Sequence, residues 1–219
     1  MNHHHLSIRR SARLVTIGEM GAALRDVWIV CHGYGQLARS FAKHFVALER
    51  ADRLIVAPEA LNKYYLEAAP QARSADARGG ATWMTKEDRE TEIADYVAYL
   101  DQATDWALES TDRAKVKLTV LGFSQAVTTV SRWIALGHTR PDRLVLWAGE
   151  LPHDLDHAKF ASAIDGVDVV LVAGDADQYA TPERVDAAET LLRTFTTRVE
   201  VIRFVGAHVL DAPTLESLG

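Results

Sequence analysis

Residues 118–128 read "LTVLGFSQAVT" and carry one hydroxyl, Ser124, at the point where an apolar, β-branched run gives way to helix-forming residues. A serine on a tight strand-to-helix turn holds its hydroxyl clear of the chain, provided its neighbours are small. The helix N-terminus behind it favours developing negative charge. The competing reading makes Ser124 a simple helix N-cap. A serine hydroxyl needs a base to become a nucleophile, and neutral imidazole is the usual one near pH 7. His44 falls inside a helical pattern and His138 beyond a helix end, so both are expected on the surface. His153 and His157 lie in a polar stretch. His208 follows the last long strand pattern, in "FVGAHVL", and is the candidate base. An orienting acid is offered by "GDADQ", where Asp175 and Asp177 both follow a strand pattern. Only one of them can face a single imidazole.

Acyl transfer also needs N–H donors aimed at the oxyanion. One is expected from the residue after the nucleophile, Gln125. The other is expected from "VWIVCHGYGQ", where His32-Gly33-Tyr34-Gly35 closes a buried run and two glycines free the backbone. The Tyr34 N–H is the expected donor, and His32 is expected to bond within its own loop.

These residues need a frame that delivers them to one place. Strand patterns occupy 7–17 (an edge strand), 27–31, 53–58, 116–123, 143–149, 167–174 and 198–206. Helical spacing covers 37–49, 89–109, 125–136 and 181–195, with a short helix at 213–218. Thr181-Pro182-Glu183 supplies a capping residue and a proline at the first helical position. Buried strands alternating with amphipathic helices predict an α/β fold with a mostly parallel sheet covered on both faces. Ligand sites in such sheets lie at the carboxyl ends of the strands, where each candidate above falls. Residues 58–84 show little period, but Tyr64, Tyr65, Trp83 and Met84 argue against simple disorder. That segment is expected to be a partly ordered flap beside the site.

Composition narrows the function. The 219 residues suffice for one core, and one domain over 1–219 is expected, with 1–6 as a frayed tail. A net charge of −6 speaks against a nucleic-acid partner, which requires a basic face. No apolar run reaches the ~20 residues of a membrane span, and the first residues lack the apolar core of a signal peptide. A cytoplasmic location is therefore expected. Cys31 is the single cysteine, so no intrachain disulfide forms. His3, His4 and His5 could bind a metal only weakly, and they are read as part of the tail.

The stretches "VWIVCHGYGQ", "VLGFSQA", "LVAGDADQYATPE" and "FVGAH" together resemble the phospholipase/carboxylesterase group of the α/β-hydrolase fold, which includes acyl-protein thioesterases and small bacterial serine esterases. The resemblance runs over residues 27–208. It implies Ser124 as nucleophile, His208 as base, and Tyr34 and Gln125 as oxyanion donors. The acid of that group stands three residues past the strand-end glycine, which implies Asp177 over Asp175. "WAGELP" matches a stretch that lines the acyl pocket in relatives, putting Leu151 near substrate, with Trp83 and Met84 from the flap. Ala126 departs from the usual glycine, and Gln36 from the usual aspartate.

The resulting expectation is a carboxylesterase acting on a small-molecule ester of short to medium acyl chain, with no metal or organic cofactor. The alternatives are a thioesterase or lysophospholipase with the same residues, or a non-catalytic binding protein on the same scaffold. No exposed apolar stripe demands a homodimer, which stays open.

Overall fold

The computed structural model describes residues 1–69 and 71–219. A seven-stranded sheet forms its centre: β1 (Leu14–Ile17), β2 (Asp26–Cys31), β3 (Arg53–Pro58), then β6 (Lys117–Phe123), β7 (Arg143–Trp147), β8 (Asp168–Gly174) and β9 (Val199–Phe204). A separate antiparallel hairpin pairs β4 (Asn62–Tyr65) with β5 (Gly79–Thr82). The sheet order is β1-β3-β2-β6-β7-β8-β9, and only the edge strand β1 runs antiparallel.

Period-two alternation along the strands feeds two separate cores. One face sends Val27, Ile29, Leu118, Val120, Leu144 and Leu146 against α2 (Arg89–Leu108), α3 (Gln125–Leu136), α4 (His157–Ala163) and α5 (Pro182–Phe195). The other sends Trp28, Val30, Leu121, Val145 and Trp147 against α1 (Ala38–Ala42), the 3-10 turn Lys43–Leu48 and α6 (Ala212–Ser217). The sheet is thus dry on both sides, which is why its strands read as continuous apolar runs.

The chain leaves β2 for β3 on one side and returns to β6 on the other, so β2 and β6 are neighbours in space with the order reversing between them. A crevice opens at the carboxyl ends of strands at such a reversal. Cys31 lies opposite Gly122 across this pair, so the loops that follow the two strands start side by side.

Several elements differ from their expected extents. The edge strand is confined to Leu14–Ile17, because β3 offers it partners only from Ile55 to Pro58; residues 7–13 have no regular structure. The 37–49 helix is α-helical for five residues and then tightens to 3-10, so Phe41, Phe45 and Leu48 still share a buried face at spacings of four and three. Residues 58–84 contain the β4–β5 hairpin. Its second strand, Gly79-Gly80-Ala81-Thr82, has no β-branched run to announce it and forms through pairing with β4. Residues 1–6 are exposed and without secondary structure, with His5 Nε2 2.9 Å from Asp88 Oδ1. Among the described residues, no group of three or more His, Cys, Asp or Glu could hold a metal ion, and no helix is long and apolar enough to cross a membrane.

Candidate active site

Ser124 stands between β6 and α3 with φ 57° and ψ −118°, a backbone conformation that L-residues rarely adopt. The turn is held by Ser124 N–H donating to Trp147 O at 2.8 Å. It is made tight by Gly122, where an added Cβ would stand 2.5 Å from Ala126 O. The strain lifts the hydroxyl away from the strand, and its side chain makes no cap to the helix.

His208 Nε2 lies 2.8 Å from Ser124 Oγ, and His208 Nδ1 lies 2.8 Å from Asp177 Oδ2. Asp177 Oδ1 accepts the N–H groups of Tyr179 (2.8 Å) and Ala180 (3.0 Å). Both carboxylate oxygens therefore act as acceptors, which assigns the imidazole proton to Nδ1 and leaves the Nε2 lone pair facing the serine hydroxyl. The ring sits between Phe123 (centroids 5.1 Å apart) and Tyr179 (4.8 Å, edge-on). Its loop is pinned by Trp147 Nε1 donating to Val209 O and by Asp175 Oδ1 accepting Gly206 N–H. The two aspartates of "GDADQ" thus do different things: Asp177 reaches the imidazole, and Asp175 ties the loop after β9 to the end of β8.

The loop after β2 lies against this group. A Cβ on Gly33 would be 3.2 Å from Ser124 Cβ. Gln36 Oε1 accepts Gly33 N–H at 2.8 Å, so a glutamine amide closes this turn where an aspartate is usual. His32 is fully buried, with Nδ1 donating to Gly33 O and Nε2 accepting Ala60 N–H. Burial pushes its pKa below the ordinary imidazole value, consistent with this neutral form. Among the described residues, the N–H groups of Tyr34 and Gln125 meet no acceptor.

A family model for serine hydrolases (FSH1) matches residues 27–215 of the chain. The chain belongs to the FSH1 serine hydrolase family. No curated protein sequence matches it. Among solved structures, it is similar to acyl-protein thioesterase 2 of Zea mays, with 16% identity, 95% of this chain and 96% of that chain covered, and a TM-score of 0.68. Esterase PE8 shares 18% identity over 95% and 96% of the two chains, with a TM-score of 0.65. A phospholipase/carboxylesterase from Dyadobacter fermentans shares 14% over 97% and 96%, also with a TM-score of 0.65. At these identities the likeness establishes the fold, which is of the α/β-hydrolase type.

In this FSH1-family hydrolase, a cavity of about 230 Å3 opens at Ser124 and His208. Gly33, Tyr34, Gln36, His44, Phe123, Val209 and Leu210 complete its lining. His44, expected as a plain surface residue, is exposed and also borders this cavity, because the 3-10 turn brings it round beside Phe41. Trp83, Met84 and Leu151, expected along the acyl pocket, are not among the lining residues. Trp83 is buried behind the loop, with Nε1 donating to His32 O. Met84 turns its sulfur towards Arg132, and Leu151 packs on the α3 side of the core. A larger groove of about 750 Å3, between Arg89, Val97 and His138, touches none of Ser124, Asp177 and His208.

Ala126, in place of the usual glycine, is the second residue of α3 and is fully buried in the core. Its methyl is accommodated, and Gly122 supplies the close approach. Ala126→Gly is accordingly expected to leave hydrolysis rates within about twofold and to lower stability by ~1 kcal/mol through the poorer helix propensity of glycine. Urea denaturation beside ester kinetics checks this, and a large gain in turnover would show that the methyl distorts the turn.

Proposed function

We propose that this FSH1-family hydrolase is a serine carboxylesterase that cleaves small carboxylic esters through an acyl-serine intermediate. The observation that carries the reading is the continuous hydrogen-bonded path Ser124–His208–Asp177, 2.8 Å at each step, at the mouth of a cavity. Ser124 Oγ attacks the ester carbonyl as its proton passes to His208 Nε2. Asp177 holds the proton on Nδ1 and stabilises the imidazolium that forms. The Tyr34 and Gln125 amides receive the oxyanion. Collapse breaks the C–O bond of the leaving alcohol, which takes the proton from Nε2. Water then attacks the acyl-serine with His208 again as base, releasing the acid and restoring Ser124. None of these steps calls on a cofactor.

The cavity volume supports a short acyl group, since pockets for drug-sized ligands run to roughly 300–1,000 Å3. The lining combines Phe123, Val209 and Leu210 with the polar ends of Gln36 and His44, and it holds no Lys, Arg, Asp or Glu side chain. A neutral ester is the fitting substrate.

A fluorophosphonate probe is expected to label Ser124, located by peptide mass mapping. p-Nitrophenyl acetate and butyrate are expected to give kcat/KM values about tenfold or more above palmitate. Absence of labelling would favour the non-catalytic binding protein. Preference for palmitate, for a matched thioester or for a lysolipid would move the assignment to the corresponding activity.

A further inference from the structure

The residues proposed as oxyanion donors sit on different segments, Tyr34 on the loop after β2 and Gln125 at the first residue of α3, and Gly33 brings the two close, an added Cβ there standing 3.2 Å from Ser124 Cβ. One short segment touches both. Ala81 on β5 accepts Gly35 N–H at 2.9 Å and donates its own N–H to Gln36 O at 3.2 Å, so β5 pairs with the Tyr34 loop much as a strand would. The next residue, Thr82, is buried, and its Oγ1 accepts Gln125 Nε2 at 2.8 Å while donating to Met84 O at 3.0 Å. Gln125 Oε1 then accepts Trp83 N–H at 3.3 Å. Trp83 Nε1 closes the ring by donating to His32 O at 2.8 Å, with its indole against the His32 imidazole.

We propose that Thr82 is a positioning residue for the oxyanion hole: through the Gln125 side chain it holds the Gln125 amide at a set distance from the Tyr34 amide. The segment 81–84 acts as a hydrogen-bonded splint between the Tyr34 loop and the start of α3, which otherwise meet through the close approach of Gly33 to Phe123 and Ser124. This rests on the carboxylesterase reading above and deepens it, because it gives the β4–β5 hairpin a part in catalysis. The physical reason is that hydrogen bonds to an oxyanion act only when the donors are in place before charge develops. A displacement of about 1 Å in a reacting constellation costs on the order of 100-fold.

Thr82→Val keeps the shape of the side chain and removes the hydroxyl. It is expected to lower kcat on p-nitrophenyl butyrate by about 10- to 100-fold with KM within about threefold. The affinity for a trifluoromethyl ketone, which mimics the tetrahedral intermediate, should weaken by a similar factor. Thr82→Ser, which restores the hydroxyl, should recover most of both. Rates are normalised to the sites titrated by a fluorophosphonate, so loss of folded protein is not counted as loss of catalysis. Should Thr82→Val fail to fold, Gln125→Leu removes the other end of the same bond and is read in the same two assays.

A lower melting temperature with normalised kcat and inhibitor affinity unchanged would overturn the proposal and leave Thr82 as a packing residue. Equal loss of ground-state and intermediate binding would overturn it too. Failure of the unaltered protein to hydrolyse any ester would instead sink the carboxylesterase reading, and the two failures are separable.

Discussion

Ser124→Ala is expected to lower turnover of p-nitrophenyl acetate or butyrate by about 10^4- to 10^6-fold, about 5–8 kcal/mol of transition-state stabilisation. The size follows from what the substitution removes. Without Oγ no acyl intermediate forms, and His208 is left facing a methyl group. The residual rate expected is that of water attacking an ester held against the proposed oxyanion donors, the amides of Tyr34 and Gln125. Stability should change little. The strain at φ 57° is the same for alanine as for serine, and the one side-chain bond lost is that to His208 Nε2. A bond of that kind contributes about 1 kcal/mol net. Initial rates and urea denaturation of the purified variant decide the matter: turnover retained with the fold intact would remove Ser124 from the mechanism.

Asp177→Asn is expected to cost about 10^3- to 10^4-fold, although it changes one atom. The two N–H groups of Tyr179 and Ala180 require an acceptor, so the asparagine oxygen should stay where Asp177 Oδ1 is. That turns the NH2 group towards His208 Nδ1. A donor there forces the imidazole proton onto Nε2, and the base then presents N–H to the serine where it needs a lone pair. Asp175→Asn makes the same chemical change two residues away. Asparagine can still accept Gly206 N–H at that position, so activity should stay within about threefold. Comparing the two variants tests the assignment of the acid directly, and the reverse pattern would make Asp175 the acid.

Much of the frame was legible in the sequence because both faces of the sheet are covered. A strand buried on two sides must be apolar throughout, so "VWIVC", "RLIVAP" and "LVLW" announced themselves. What escaped was structure that depends on distant partners. The β4–β5 hairpin has Gly-Gly-Ala-Thr as its second strand, and nothing local marks it. The edge strand was shorter than its pattern because its length is set by β3. His44 looked like a surface residue because helical spacing speaks of which face is buried, not of what stands next to the exposed face. Trp83 and Met84 are expected to line the pocket as part of a flap beside the site, and a local pattern shows that such side chains need burial but not where they find it. In the structure Trp83 lies behind the loop of His32 and Met84 beside Arg132.

The order of Ser124, Asp177 and His208, each just past a strand, was determined by the sequence alone, because strand ends in a parallel sheet all emerge on one edge. The choice between Asp175 and Asp177 from the residues themselves was not. Both follow Gly174 within three positions, and only the path of the turn decides which carboxylate points at the imidazole and which at Gly206. The tautomer of His208, the accommodation of Ala126 by the opposing Gly122, and the joining of both proposed oxyanion loops through Ala81–Met84 likewise belong to the tertiary structure. Each depends on contacts between segments distant in sequence, with directions and distances of a few ångströms, and a one-dimensional pattern contains neither.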